Sequence, residues 1–142
     1  MCLLISAFNE EKIIRKKIEN SLSLDYPKDK FEVILVDDGS ADGSQDLVKS
    51  FQRNLPQLKM RLYELKESTS SPKKDALEMG VKEAAFDWII TTDADCVFGA
   101  DFLNAYDQFL DLHPAKMVAG PVIYEVEDSF LHRFQALDFL SL

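Results

Sequence analysis

A strand that runs into two carboxylates constrains this chain more than any other stretch of its sequence. Trp88 to Thr92 is an apolar and β-branched run, which is typical of a strand buried on both faces of a sheet. Asp93, Ala94 and Asp95 follow it directly. If the extended backbone persists through Ala94, the two-residue period of a strand points both aspartates to the same side. Parallel sheets bind ligands at the carboxyl ends of their strands, so we expect a site here.

The side chains of Asp93 and Asp95 indicate what such a site would hold. Two hard oxygen donors without a neighbouring Cys or His cluster suit Mg²⁺ or Mn²⁺ that is shared with substrate phosphates. The alternative is a polar turn in which one aspartate caps the next helix. One short motif does not decide between the two, because Asp-x-Asp often occurs by chance.

Predicted strands and helices alternate along the rest of the chain. The strands are predicted at residues 2–6, 31–36, 58–65, 88–92 and 117–126, and an amphipathic helix follows each of them. This order predicts an α/β fold of three layers with a mostly parallel sheet, formed by residues 1–142 as a single domain. Residues 58–65 alternate between apolar and polar side chains, which places that strand nearer an edge.

Local signals predict where the helices begin and which side of the first helix faces solvent. Asn9 is a suitable N-cap for the first helix, and Asp42 with Gln45 resembles a capping box for the second. Pro72 suits the first position of the third helix. Lys17, with its basic neighbours, is predicted on the solvated face of the first helix.

Composition and charge exclude several classes of protein. The formal net charge is −9, from 25 acidic and 16 basic residues, which argues against nucleic acid as a partner. Cys2 and Cys96 lie far apart and indicate neither a disulfide framework nor a zinc site, so a reducing compartment is expected. No signal peptide is visible, and no apolar run approaches the ~18 residues of a membrane span.

A second acidic pair, Asp37 and Asp38, ends the second predicted strand. This pair belongs to one of five segments of the chain that resemble family 2 glycosyltransferases in content and in order. The segments are Ser-Ala-Phe-Asn-Glu-Glu at residues 6–11, Asp-Tyr-Pro at 25–27, Val-Asp-Asp-Gly-Ser-Ala-Asp-Gly-Ser at 36–44, Lys-Lys-Asp-Ala-Leu at 73–77 and Asp-Ala-Asp at 93–95. The chain departs from that family at Ser6, where a Pro is usual, and at Pro72, where a Gly is usual.

The resemblance implies a Rossmann-like GT-A nucleotide-diphospho-sugar transferase fold. It also implies an inverting transfer of sugar from a nucleotide-diphosphate sugar, with a UDP-sugar expected, to a glycan or lipid-linked acceptor. Mn²⁺ or Mg²⁺ is the implied cofactor. The implied nucleotide-binding residues are Ala7, Phe8, Glu10, Asp37, Asp38, Lys73 and Asp93, and the implied metal ligands are Asp93 and Asp95.

Several of these implied roles have a structural alternative. Phe8 also suits a core position at a strand end, Glu10 suits the first turn of a helix, and Lys73 suits a solvated helix start. Of the acidic pair, Asp38 is favoured as the residue that hydrogen-bonds the base or ribose, with Asp37 as a turn residue.

No catalytic base is assigned, because in that family the base lies in a later motif and is expected beyond Leu142. Residues 127–142 are predicted to begin a helix that leads to the acceptor part of a longer chain. We expect residues 127–142 either to fold back over the sheet or to mediate self-association, and we expect membrane association through the region that follows. The whole protein is then expected in the cytoplasm or at the cytoplasmic face of a membrane. The alternatives are a nucleotide-sugar-binding half without turnover, and a Mg²⁺-binding receiver-like signalling domain.

Overall fold

The computed structural model describes residues 1–65 and 71–122 of the chain. Strands and helices alternate within these residues, in the order that the sequence predicts. The elements are β1 Cys2–Ala7, α1 Glu11–Leu22, β2 Glu32–Asp37, α2 Ser44–Asn54, β3 Met60–Glu64, α3 Pro72–Glu83, β4 Ile89–Asp93 and α4 Phe102–Leu112. The chain forms two compact units, Met1–Phe109 and Leu110–Leu142, and the sheet belongs to the first of them.

The four strands form one parallel sheet in the order β3-β2-β1-β4. This confirms the predicted α/β architecture. The central strands β1 and β2 are almost completely buried, because nearly every side chain on them is apolar and both of their faces are covered. β3 is an outer strand of the described sheet, as its alternating pattern predicts. β4 is the other outer strand and is only half-buried, so the two-sided burial predicted for residues 88–92 is wrong.

Helices cover both faces of the sheet, which confirms the three layers. On one face, Ala76 of α3 packs into a buried cluster with Leu4 and Ile34. On the other face, the α1 side chain of Lys17 reaches Thr92, which is paired in register with the fully buried Ile5. The helices α1 and α2 contact each other on that side. The two faces therefore present alternate residues of β1 to different helices.

The predicted fifth strand does not appear in the part of it that the structure describes. Residues 117–122 adopt neither helix nor strand, and the rest of that strand lies outside the described residues, as does the last predicted helix. Gly120 and Pro121 fall within the described part, and both residues are unfavourable in the interior of a strand. Among the described residues, none of the helices is long and apolar enough to cross a membrane.

Candidate functional site

A cavity of about 330 Å³ lies at the carboxyl ends of β1 and β4, next to the start of α3. This is the end of a parallel sheet at which ligands bind. Seven residues that the sequence analysis singles out border the cavity: Ala7, Phe8, Glu10, Asp38, Lys73, Asp93 and Asp95. Ser6, Ala76 and Ala94 complete its lining. Asp37 does not border it. Residues that are up to 89 positions apart therefore meet here, because the ends of β1, β2 and β4 converge with the start of α3.

Asp93 and Asp95 reach the cavity by a different geometry from the one predicted. β4 ends at Asp93, and the backbone N–H of Cys96 donates to the Asp93 carbonyl at 3.3 Å, which closes a turn over Ala94 and Asp95. The extended backbone therefore does not persist through Ala94, and the two-residue period does not apply. Both aspartates are exposed, whereas Ala94 is buried beneath them. The turn presents two carboxylates to the cavity on one short segment.

Lys73 lies at the first turn of α3 and forms an ion pair across the cavity. Its Nζ is 2.6 Å from Oδ1 of Asp93, and this hydrogen bond raises the pKa of Lys73. A lysine at a helix start is unfavourable for the helix dipole, so an anionic partner for Lys73 is favourable at this position. Both side chains are more than half exposed, so the pair adds little to stability. In this structure Asp93 is that anion.

Glu10 adds a third carboxylate to the same cavity. Burial raises its pKa, and the charges of Asp95 and Asp93 raise it further. Its Oε2 is buried and has no hydrogen-bond partner within residues 1–65 and 71–122. Carboxylates that crowd together favour either a proton or a cation between them. Glu10, Asp93 and Asp95 thus give this cavity a negative potential, although within the described residues no three such side chains lie close enough together to hold a metal ion by themselves.

The structure separates the two members of the pair at the end of β2. Asp37 is buried, and its Oδ2 accepts from the backbone N–H of Ser40 at 3.0 Å and from Nε2 of Gln45 at 2.8 Å. Asp37 therefore holds the turn after β2, whereas Asp38 is half-buried and borders the cavity. Since Gln45 donates to Asp37, the predicted capping box of Gln45 with Asp42 is not formed.

Asn9 joins two loops beside the cavity instead of capping α1. Its φ is +53°, a left-handed conformation that Asn tolerates better than most residues. Its backbone N–H donates to Oγ of Ser40, and its Oδ1 accepts from the backbone N–H of Ala41. Glu10 occupies the N-cap position of α1 without a side-chain capping bond. The predicted N-cap at Asn9 is therefore wrong, and the residue instead ties the β1–α1 loop to the β2–α2 loop.

Lys17 is the residue that the sequence analysis missed at this site. Its side chain is only 2% exposed, although it was predicted on the solvated face of α1. Nζ donates to Oγ1 of Thr92 at 3.0 Å and to the carbonyl of Cys96 at 2.7 Å. Burial lowers the pKa of Lys17 to about 8, against the opposing effect of the neighbouring Cys96, Asp95 and Asp93. The spacing of the sequence does contain one indication that Lys17 is buried, since it lies between the core residues Ile14 and Ile18.

The lowered pKa of Lys17 predicts a distinctive dependence of stability on pH. Below about pH 8 the amine is protonated in both states, and the cost of burying its charge is fully present. Between about pH 8 and the usual value of 10.5, the folded chain has released this proton while the unfolded chain still holds it. The unfolded state then binds more protons, so the contribution of Lys17 to the free energy of unfolding rises with pH, by up to roughly 3 kcal/mol.

Urea denaturation of the wild type and of Lys17→Met in EDTA, at several pH values from 7 to 10.5, measures this contribution. The difference between the two free energies of unfolding isolates Lys17, because the other titrating groups are common to both proteins. We expect the free energy of unfolding of the wild type to increase relative to that of Lys17→Met as the pH rises. Parallel curves for the two proteins would contradict the lowered pKa.

Comparison with known proteins agrees with this fold. The profile of Glycosyl transferase family 2 matches residues 2–137. The chain is 25% identical over 140 residues to the poly-β-1,6-N-acetyl-D-glucosamine synthase of Staphylococcus epidermidis, covering 98% of this chain and 32% of the relative. It is 29% identical over 133 residues to a dolichyl N-acetyl-α-D-glucosaminyl phosphate 3-β-D-2,3-diacetamido-2,3-dideoxy-β-D-glucuronosyltransferase of Methanococcus voltae, covering 89% of this chain and 40% of the relative.

Solved structures of glycosyltransferases share the fold. The mannosyltransferase PcManGT of Pyrobaculum calidifontis, in complex with GDP-Man and Mn²⁺, is 29% identical with a TM-score of 0.72, covering 86% of this chain and 33% of that structure. TarS 1–349 of S. aureus, in complex with UDP, is 26% identical with a TM-score of 0.71, covering 80% of this chain and 32% of that structure. The chain spans about a third of the length of these proteins. With its parallel sheet, its cavity at the strand ends and a profile match over residues 2–137, the chain belongs to glycosyl transferase family 2.

Proposed function

We propose that this chain is the nucleotide-sugar-binding part of an inverting glycosyltransferase that uses a UDP-sugar and a divalent cation. The observation that supports it best is the cavity that gathers Glu10, Asp93 and Asp95 at the strand ends. Its volume of about 330 Å³ lies at the lower end of the range for small-molecule sites. Two solved relatives are complexes with UDP and with GDP-Man and Mn²⁺, which supports a nucleotide-diphosphate ligand for this cavity.

Asp93 and Asp95 fit a cation of the Mg²⁺ or Mn²⁺ type, because their carboxylate oxygens are hard donors at the rim of the cavity. Asp93 and Asp95 would hold this cation beside the diphosphate. When bound, the cation neutralises the diphosphate leaving group as the glycosidic bond breaks. Lys73 now pairs with Asp93, and a diphosphate in the cavity would offer it a second anionic partner.

Other residues of the cavity lining suit the nucleoside. Phe8 is 55% exposed, which is unusual for a phenylalanine and leaves its ring available to an aromatic base. Asp38 borders the same cavity and can accept hydrogen bonds from the base or the ribose. Glu10 borders the same cavity. Phe8, Asp38 and Glu10 therefore form the proposed nucleoside side, and Asp93, Asp95 and Lys73 the proposed diphosphate side.

The whole protein is proposed to pass the sugar to a glycan or lipid-linked acceptor at the cytoplasmic face of a membrane. The curated relatives include a poly-β-1,6-N-acetyl-D-glucosamine synthase, which supports an envelope polysaccharide as the product. This chain spans about a third of that relative. A second candidate is therefore a unit that binds the nucleotide-sugar but does not by itself catalyse the transfer. In this case the catalytic base lies outside these 142 residues.

Calorimetry of the wild-type chain with UDP and with GDP, in Mn²⁺ and in EDTA, tests the proposed donor site. We expect UDP to bind in Mn²⁺ and to lose most of its affinity in EDTA, because a cation held by Asp93 and Asp95 would neutralise the charge of the diphosphate. GDP is expected to bind more weakly than UDP. Equal affinity for UDP in EDTA would remove the cation from the proposal, and no binding of either nucleotide in Mn²⁺ would overturn the donor site itself.

A further inference from the structure

One buried ammonium group holds both ends of the turn that carries Asp93 and Asp95. Lys17 donates to Oγ1 of Thr92, the residue before the turn, at 3.0 Å, and to the carbonyl of Cys96, the residue after it, at 2.7 Å. Its side chain enters from α1, on the face of the sheet opposite to α3. Lys17 thus contacts the turn from the α1 face of the sheet, whereas Lys73 pairs with Asp93 from the α3 face.

The segment after the turn is held to α1 by a second set of contacts. Nζ of Lys17 lies 3.8 Å from the centroid of the Phe98 ring, a favourable position for a cation. One turn of helix further on, Asn20 donates from Nδ2 to the Phe98 carbonyl at 2.9 Å and accepts from the Phe98 N–H at 2.8 Å. Residues 96–98 are therefore anchored to α1 at two successive points.

The hydrogen bonds of Lys17 leave the carboxylates of the turn available. A buried ammonium is costly unless its N–H groups find acceptors, and here they find a hydroxyl and a backbone carbonyl. The negative charges of Asp93 and Asp95 act on Lys17 through space and favour its charged form. This arrangement differs from a simple ion pair, in which the lysine would occupy an oxygen that a cation needs.

We infer that Lys17 is a positioning residue for the cation site, which holds the Asp93–Ala94–Asp95 turn in the conformation that presents both carboxylates to the cavity. The inference rests on the proposed function for its link to the cation, and on the contacts of Lys17 for its link to the turn. Lys17 touches neither the cation nor the nucleotide in this role.

The direction in which Lys17→Met changes the affinity for the cation distinguishes a positioning role of Lys17 from a purely electrostatic one. A nearby positive charge repels a divalent cation, so if charge were all that Lys17 supplied, its removal would strengthen cation binding. If Lys17 holds the turn, its removal frees the turn and weakens cation binding. Methionine replaces the apolar stem of the side chain but lacks the terminal nitrogen, so the variant deletes the two hydrogen bonds with only a small change of volume.

The experiment compares the wild type, Lys17→Met and Lys16→Met by two measurements. Lys16 is exposed on the same helix, so its variant removes the same charge without touching the turn. The first measurement is NMR-detected hydrogen exchange of the Cys96 amide, which donates to the Asp93 carbonyl, in EDTA. The second is the affinity for Mn²⁺ in the presence of UDP. We expect Lys17→Met to raise the exchange rate and lower the affinity, each by about tenfold, the scale of one lost hydrogen bond to a charged group.

Each result either supports or overturns the inference. Unchanged exchange in Lys17→Met, unchanged or tighter Mn²⁺ binding, or equal changes in Lys16→Met would overturn it. If the wild type does not bind Mn²⁺ with UDP, the proposed function fails, while the exchange measurement still decides whether Lys17 holds the turn. If Lys17→Met does not fold, Thr92→Val removes one acceptor and keeps the lysine. Faster exchange of Cys96 in that variant supports the inference, and wild-type exchange overturns it.

Discussion

Asp95→Asn is expected to weaken the binding of UDP in Mn²⁺ by at least about 100-fold, because even residues that only support metal ligands are worth 10–100-fold in affinity. Asparagine keeps the shape of the side chain and removes its negative charge. Asp95 is exposed at the tip of the turn and borders the cavity, so the folded structure loses little when it is replaced. Calorimetry with UDP in Mn²⁺ and in EDTA measures the effect, and thermal unfolding checks the fold.

Two further variants control this result. Asp87→Asn removes the same charge from an exposed residue that does not border the cavity, and it should bind like the wild type. Asp38→Asn should weaken the binding of UDP in EDTA as well as in Mn²⁺, because its proposed partner is the nucleoside. Wild-type affinity in Asp95→Asn would show that this aspartate is not a ligand of the cation. Loss of folding in Asp38→Asn would assign that residue a structural role.

Gly80→Val is expected to lower the free energy of unfolding by about 3 kcal/mol, at the upper end of the usual cost of overpacking a core. A Cβ at this position would lie 2.1 Å from Cδ1 of Leu4, a distance that carbon atoms do not adopt. Leu4 is completely buried in β1, so its side chain cannot turn away without displacing its neighbours. The higher helix propensity of valine offsets only a few tenths of a kcal/mol of this cost.

Glu78→Val is the matched control, since it places the same side chain on the exposed side of the same helix. Urea denaturation of the two variants and the wild type compares them directly. We expect the control to lie within about 0.5 kcal/mol of the wild type. If Gly80→Val and the control have the same free energy of unfolding, α3 does not pack against β1 as closely as the structure shows. Because α3 carries Lys73 and Ala76 to the cavity, Gly80→Val should also weaken the binding of UDP.

Much of the fold could be predicted because it rests on local patterns. Apolar runs of five or six residues between amphipathic helices define buried strands, and parallel pairing follows from the helices between them. The four described strands begin and end within one residue of the prediction, except that β3 begins two residues later than predicted. The fifth predicted strand shows the limit of this reasoning, since residues 117–122 carry an apolar run and still form no strand.

The convergence of the site could also be predicted in outline. Strand ends of a parallel sheet meet at one edge, and seven of the eight residues expected at the site border one cavity. Whether they bind a nucleotide and a cation stays a prediction. The eighth residue, Asp37, is adjacent to Asp38 in the sequence, but its side chain points in another direction. The spacing of the motif does not determine which of the two aspartates faces the cavity.

The sequence by itself determined the order of the elements, the parallel sheet and the edge of it at which the acidic residues collect, because these follow from periodicity and chain connection. Only the tertiary structure decided that Lys17 lies inside the protein, that Asn9 joins two loops and that the backbone turns at Ala94. Each of these depends on which groups from distant parts of the chain are within hydrogen-bond reach. Lys17 can be buried because a hydroxyl and a carbonyl, 75 and 79 residues away in the sequence, accept hydrogen bonds from its ammonium group.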